Sequence, residues 1–278
     1  MMNAQRDGFL AFIPAERLEH AKKTSAEAIS LATRVNRVAL DLINSKVPLE
    51  RDSDYFAGPL YARTIQNFEG CVMLAIFGMR VESRTLARST LESACYCIAA
   101  CMDLRDDNDR PFVHRVLGSH DRYRERVVRE LKEMGTFDQE RAEQWKAAAD
   151  KIDATLTSLP GINLLKLMED VGWGGFYTVL FRPLSQDAHP SADSLDLHCK
   201  FDASGELAGF VIGPDLRVID DTIAAACAAL LLAVEKYRER FSITHSASDF
   251  EGCLAAYKSL VERNAAEAVR NSPDTTVS

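Results

Sequence analysis

Apolar side chains recur at steps of three and four residues along most of the chain, the spacing that places them on one face of an α-helix. The pattern is clearest over residues 14–46, where the residues that recur at such steps are Leu18, Ala21, Ala28, Leu31, Val35, Val38, Ala39 and Leu42. Prolines, glycines and clusters of turn-forming residues separate the periodic segments. The spacing predicts further helices over about residues 60–79, 83–102, 112–134, 138–159, 164–171, 215–241 and 248–269.

One stretch alternates between apolar and polar residues instead, as a β-strand with one buried face does. LDLHCKFD and LAGFVIG flank the turn-forming sequence DASGE, which predicts a β-hairpin over about residues 195–213. Because no linker or repeat divides the chain, the sequence predicts one mostly all-α domain over residues 1–270, a multi-helix bundle with this hairpin as a late insertion. The polar residues 271–278 are expected to form a disordered tail.

The composition is that of an ordinary globular protein, with 47% hydrophobic and 27% charged residues. The longest apolar run, residues 223–234, is shorter than the ~20 residues that span a bilayer and predicts a core helix. The N-terminus lacks the order of basic, apolar and small residues found in secretory signals. Seven cysteines without a CxxC pair indicate buried free thiols in a reducing compartment. A cytoplasmic protein with no membrane partner is therefore expected.

The net charge of −8 argues against strong non-specific binding to nucleic acid, and no DNA binding is expected. A local basic site is still compatible with that charge. Residues 114–132 are locally positive, although their basic side chains alternate with Asp121, Glu125 and Glu130. This alternation favours a solvated helix face, with a phosphate-binding surface as the alternative.

Familiar catalytic and metal-binding motifs are missing from the sequence. There is no GxSxG elbow, Walker A loop, HExxH motif or EF-hand loop, and the glycines of GWGG (172–175) do not form GxGxxG after a strand. His198 and Cys199 are neighbours in a predicted strand and point to opposite faces, which argues against a metal site. No cofactor is expected.

Arg84, Arg88 and Glu92 repeat at four-residue spacing in the predicted helix over residues 83–102, which is otherwise mostly apolar. At about 100° per residue, the three side chains lie on one stripe together with Leu91. A charge in such a stripe must be paired or open to a cavity, because an unpaired buried ion is costly. Arg88 and Glu92 therefore either form an ion pair that ties the bundle together or line a pocket.

A second polar cluster, RPLSQDAHPS, lies where helix gives way to loop and contains Arg182, Ser185, His189 and Ser191. Histidine titrates near neutral pH, and a guanidinium can hold a phosphate through two hydrogen bonds. A metal-free ribonuclease needs these two groups, because histidine moves the proton of the 2′-hydroxyl or leaving group and arginine stabilises the phosphorane. The alternative is structural: His189 bonds a main-chain carbonyl, while Asp187 or Ser191 caps the turn.

Two stretches resemble a known family. GMRVESRTLARSTLESACYCIAA, with Arg88 four residues before Glu92, resembles a helix of a bacterial family of unknown function, number 5677 among such domains. YTVLFRPLSQDAHPSADSL resembles a later segment of that family, with a tyrosine, a leucine-serine pair and His-Pro-Ser. That family is distantly similar to the HEPN superfamily of helical bundles, which are often found in toxin–antitoxin and phage-defence systems.

Many HEPN proteins are metal-independent ribonucleases that carry an arginine, four to six residues, and then a histidine. Arg182 and His189 are similar to this pattern, whereas Pro183 departs from it, since a polar residue commonly follows the arginine. The resemblance implies that His189 is a general acid/base and Arg182 a phosphate clamp. It also implies a homodimer, because HEPN active sites are usually built across two copies.

In this interpretation the remaining polar residues support that pair. Arg88 and Glu92 orient the two catalytic side chains, and Ser185 and Ser191 add hydroxyl hydrogen bonds. The sequence thus predicts a HEPN-like protein that binds RNA, with metal-free cleavage as a candidate activity and an antitoxin or other protein as a further partner. The alternative is a non-catalytic helical module that binds a ligand or protein. A hydrolase that uses either serine with His189 lacks an evident oxyanion-hole loop.

Overall fold

The computed structural model describes residues 14–134, 143, 147, 154–187, 195–196, 198–210, 214–215 and 219–271. Its helices are α1 (Ala15–Ile43), α2 (Asp54–Ile76), α3 (Arg80–Cys101), α4 (Phe112–Met134), α5 (Ala154–Thr157), α6 (Leu164–Asp170), α7 (Gly174–Phe176), a π-helical turn (Tyr177–Phe181), α8 (Arg182–Asp187), α9 (Ile219–Phe241) and α10 (Ala247–Asn271). Strands β1 (Cys199–Phe201) and β2 (Leu207–Phe210) pair antiparallel. The predicted all-α class with one late hairpin is confirmed.

Helix α2 begins at Asp54 and runs through Gly58 and Pro59, so the predicted start near residue 60 is wrong. The Asp54 carboxylate accepts hydrogen bonds from the backbone N–H groups of Glu50 and Arg51, both at 2.9 Å, and so fixes the turn that starts the helix. Pro59 is the sixth residue of α2 and lies inside the helix, where its missing N–H leaves one helical hydrogen bond unmade.

Two predicted segments fall largely outside the described residues. Of the helix expected over 138–159, the structure describes its end as α5, together with residues 143 and 147. The tail is described only at Asn271, the last residue of α10.

Helices α3 and α9 form the centre of the bundle, where α9 packs against α1, α2, α3 and α10. Residues 223–234 of α9 are almost entirely buried, as predicted for a core helix, and none of the described helices is long and apolar enough to cross a membrane. Tyr61 of α2 stacks on Tyr237 of α9 with ring centroids 4.2 Å apart. This contact joins two helices that are distant in sequence.

The cysteines behave as small apolar core residues. All seven are free; Cys199 is partly exposed, and the six buried ones are Cys71, Cys95, Cys97, Cys101, Cys227 and Cys253. Burial raises the pKa of the Cys71 and Cys95 thiols to about 12, so both stay protonated at neutral pH. The prediction of buried free thiols is confirmed for those six.

The turn between α2 and α3 is fixed by a glycine that a larger residue could not replace. Gly78 has φ +74°, and a Cβ there would lie 2.6 Å from the Cβ of Pro214. The Gly78 carbonyl accepts a hydrogen bond from the Asp215 N–H at 2.8 Å, and the Asp215 carboxylate lies 3.3 Å from Nη1 of Arg80. The chain ahead of α9 therefore holds the start of α3 in place.

The hairpin lies inside the predicted range, with Cys199 opposite Phe210 and an irregularity between Lys200 and Phe201. Three of its apolar side chains, those of Phe201, Leu207 and Phe210, are exposed, and Phe210 is 72% exposed. A two-stranded hairpin alone is marginally stable in water. These three apolar side chains therefore lie open to solvent on the described part of the hairpin.

Candidate functional site

The polar cluster predicted around Arg182 is built on a continuous helical segment that runs from Gly174 to Asp187. A π-helical turn, Tyr177–Phe181, directly precedes Arg182 and Pro183. Proline has no N–H to continue the α-helical ladder, and a wider π turn accommodates that missing bond. The helix therefore continues through Pro183 as α8, with Phe181 and Leu184 buried where α8 packs on α3.

Arg88 connects α3 to α8. Its Nε donates a hydrogen bond to Oγ of Ser185 at 2.9 Å, and Nη1 lies 3.3 Å from Oε2 of Glu92. The guanidinium also stacks on Phe181, 4.6 Å from the ring centroid. Ser185 in turn donates to the Phe181 carbonyl at 2.7 Å. Arg88, Glu92 and Ser185, which the sequence predicted to be supporting residues, are thus brought together by the fold.

Arg84 makes a second connection between the same two helices. Its Nε lies 2.6 Å from Oδ2 of Asp187, and the two side chains are 20% and 10% exposed. Residue spacing predicted the place of Arg84 on the stripe but not its partner. The stripe carries two arginines, Arg84 and Arg88, but one glutamate, Glu92. This excess of positive charge was the signal that one arginine has its partner on another element.

Arg182 lies apart from this network. It is exposed at the start of α8, and its guanidinium is 5.8 Å from the ring centroid of Tyr177. Among the described residues, no hydrogen bond or ion pair joins it to Arg88 or to any carboxylate. His189 and Ser191 lie outside the described residues, so the predicted convergence of Arg182 with His189 stays a prediction.

The charges of the cluster are balanced except at Arg182. Arg84 faces Asp187 and Arg88 faces Glu92, so these four side chains carry no net charge. The exposed guanidinium of Arg182 is therefore the charge that an anionic ligand would meet. In the described part of the chain, no three His, Cys, Asp or Glu side chains are grouped so as to hold a metal ion.

Tyr96, one helical turn after Glu92, extends this face of α3 toward α4. Burial raises its pKa to about 12, with a further increase from the charge of Glu92 and a partial offset from Arg115. The phenol is therefore neutral across the physiological range. Its ring packs edge-on against Phe112, the first residue of α4, at 5.5 Å.

We expect the Arg84–Asp187 contact to stabilise the docking of α8 measurably. In a double-mutant cycle with Arg84→Ala and Asp187→Ala, the coupling free energy should be about 1 kcal/mol, because both side chains are mostly shielded from water. The exposed pair Lys166–Asp170 provides the control, with an expected coupling of at most about 0.5 kcal/mol. Urea denaturation measures both, and equal coupling in the two pairs would contradict the structural role of the contact.

The sequence profile of a family described as "Family of unknown function (DUF5677)" matches residues 54–207, more than half of the chain. The match runs from the start of α2 to the start of β2 and includes every residue of the Arg84, Arg88 and α8 network. No curated protein and no solved structure matches the chain. These comparisons do not relate the chain to the HEPN superfamily.

Proposed function

The chain belongs to the DUF5677 family of unknown function, and we propose that it binds RNA at the exposed end of α8 and cleaves it without a metal. Arg182 is the phosphate clamp in this proposal, and His189 is the general acid/base. Arg88, Glu92 and Ser185 position α8, and Ser191 adds a hydroxyl hydrogen bond to the substrate.

One observation carries the proposal. Two partly buried connections, Arg84–Asp187 and Arg88–Ser185, fix α8 on α3, while Arg182 of the same short helix stays exposed. Anchoring α8 fixes the position of the Arg182 backbone, and an exposed guanidinium at a fixed place on the surface favours binding of a phosphate. In the sequence, His189 follows the last residue of this helix by two positions.

The chemistry follows from these two groups. The 2′-oxygen attacks the adjacent phosphorus and the bond from phosphorus to the 5′-oxygen breaks, which leaves a 2′,3′-cyclic phosphate and a 5′-hydroxyl. The proton lost from the 2′-hydroxyl is balanced by the proton gained at the 5′-oxygen, and His189 moves protons in this exchange. Arg182 offsets the negative charge that develops on the phosphorane.

The proposal includes a cytoplasmic homodimer that acts in a toxin or phage-defence setting, with an antitoxin or other protein as partner. The resemblance of the Arg182 and His189 spacing to the HEPN pattern supports the dimer, since HEPN sites are usually built across two copies. The exposed side chains of Phe201, Leu207 and Phe210 offer an apolar surface for the second copy.

A second function, a non-catalytic ligand- or protein-binding module, is favoured by a different observation. Arg84, Arg88, Glu92 and Ser185 all have partners within the protein, which is what a purely structural network requires. In such a protein, Arg182 and His189 have no catalytic role. Replacing either residue then causes no change in how the protein acts on RNA. A serine hydrolase gains no support, because the Ser185 hydroxyl already donates to the Phe181 carbonyl.

RNA binding should depend on Arg182. We expect Arg182→Ala to weaken binding about tenfold, since a charge-assisted hydrogen bond contributes about 1.5 kcal/mol or more. Fluorescence anisotropy with a labelled, fully 2′-O-methylated RNA measures affinity without cleavage. Arg63→Ala, at an exposed arginine of α2, is the matched control and should change the affinity less than about twofold. Equal effects of the two substitutions would contradict the clamp, and absence of RNA binding by the parent would favour the binding module.

A further inference from the structure

A second concave surface lies between α4 and the segment that leads from α5 to Ile162, with Tyr96 of α3 also lining it. The cavity measures about 650 Å³, within the range of small-molecule sites. The side chains from α4 include Arg122, Arg126 and Arg129, spaced by four and three residues. That spacing places all three guanidinium groups on one face of the helix.

The wall of this cavity is held by arginine contacts to main-chain carbonyls. Arg122 donates from Nη1 to the Thr157 carbonyl at 3.1 Å and also to the Leu159 carbonyl. Gly118 lets the helix approach this closely, since a Cβ there would overlap the Leu156 carbonyl oxygen. The cavity is therefore a built feature, and Arg122 is occupied in holding it.

Two further guanidinium groups remain available to a ligand. Arg126 is exposed and lies 4.0 Å from Glu130, an exposed contact that contributes little. Arg129 is exposed, and within the described chain no carboxylate forms an ion pair with it. Glu125 also lines the cavity, so its three arginines face one carboxylate. The net charge of the lining is positive, which favours an anionic ligand.

The lining also offers apolar and aromatic surface. Tyr123 is 55% exposed at the cavity and lies 5.8 Å from the Arg126 guanidinium, while Tyr96 and Ile162 are partly buried. Aromatic rings of this kind stack on nucleobases, and neighbouring arginines bind the phosphates. The positive charge and the aromatic surface of the lining therefore both favour a nucleotide ligand.

We propose that this pocket binds the phosphate group of a nucleotide unit, supplied either by a free nucleotide or by a strand of RNA. Arg126 and Arg129 contact the phosphate, Tyr123 packs against the base, and Arg122 positions the wall. The site is separate from Arg182, which does not line the cavity, and it does not depend on RNA cleavage there.

Isothermal titration of the full-length protein with ATP and with pyrophosphate tests the pocket directly. We expect ATP to bind, and Arg129→Gln and Arg126→Gln each to weaken that binding about tenfold. Arg124→Gln removes the same charge from the same helix at a position that does not line the cavity, so it should change affinity less than about twofold. Circular dichroism confirms that the variants are folded.

The two ligand sources are separated by anisotropy with the 2′-O-methylated RNA. Competition of ATP with RNA, together with weaker RNA binding by Arg129→Gln, assigns the pocket to a strand, whereas ATP binding without either effect assigns it to a free nucleotide. Arg182→Ala should leave ATP affinity unchanged, so failure of the cleavage site is distinguishable from failure of the pocket. The inference is overturned if ATP and pyrophosphate do not bind, or if Arg129→Gln and Arg126→Gln behave like Arg124→Gln.

Discussion

Replacement of His189 by alanine is expected to lower the rate of RNA cleavage at least about 100-fold, the contribution typical of a positioned general acid/base. RNA affinity should change little, because the phosphate contact assigned to Arg182 is retained. A gel assay with end-labelled RNA measures the rate, and anisotropy with 2′-O-methylated RNA measures binding. The two readouts together separate a lost proton transfer from lost substrate binding.

His198→Ala provides the matched control, because His198 is an exposed histidine ahead of the hairpin with no role in the proposed reaction. Its cleavage rate should stay within about twofold of the parent. Added imidazole should restore part of the activity of His189→Ala and leave His198→Ala unchanged, as expected when the missing group is a proton donor or acceptor. Equal rates for parent and His189→Ala would remove histidine from the mechanism.

Replacement of Arg240 by methionine is expected to destabilise the fold strongly, with a loss of about 3 kcal/mol in the free energy of unfolding. Arg240 donates from Nε and Nη2 to the two oxygens of Asp54, at 2.8 and 2.7 Å, and the Asp54 side chain is completely buried. The substitution leaves that carboxylate buried without its counter-ion. Lys236→Met, at an exposed pair with Glu239 on the same helix, should cost less than about 0.5 kcal/mol. Equal losses in the two variants would contradict a special role for the buried pair.

The same contact predicts a dependence on pH. Burial alone would raise the pKa of Asp54, but the N–H groups of Arg51 and Glu50 and the Arg240 guanidinium outweigh burial and lower it. A lowered folded-state pKa means that the contribution is present above the ordinary value of about 4 and is lost as the pH falls through the folded-state value. Urea denaturation between about pH 7 and 3 should show a smaller acid loss in Asp54→Asn than in the parent, and an equal loss would contradict the assignment.

Local patterns explain which parts of the fold were predictable. The helical periodicity of α1, α3 and α9 is read from residues three and four apart, and the Arg88–Glu92 pair lies at that same spacing. The start of α2 was missed in part because Asp54 is held by Arg240, 186 residues away, and a local pattern does not show such a contact.

Local spacing singled out Arg88, Glu92 and Ser185 but did not give the geometry that brings them together. Arg84 meets Asp187 across 103 residues and Arg88 meets Ser185 across 97 residues, and both contacts exist only because α8 docks on α3. The sequence placed this cluster where helix gives way to loop, whereas the π-helical turn before Arg182 allows the helix to continue through Pro183. The docking of α8 depends on how the whole bundle packs. The spacing of residues along one helix does not predict that packing.

The basic segment of α4 shows the same limit. Its alternating charges indicated a solvated face, yet Arg122, Arg126 and Arg129 lie together on the lining of one cavity. Of the three acids that alternate with the basic residues, Glu125 lines the cavity and Asp121 and Glu130 do not. The wall that completes the cavity comes from residues about 40 positions later in the chain, held by Arg122.

Incubation of the purified protein with a labelled RNA pool in excess EDTA tests the central claim most directly. Metal-free cleavage at His189 and Arg182 predicts that the RNA is cut and that the fragments carry 2′,3′-cyclic phosphate and 5′-hydroxyl ends. The claim would be contradicted if the RNA stays intact with the folded parent protein. That result must hold at every concentration at which anisotropy shows the strand to be bound.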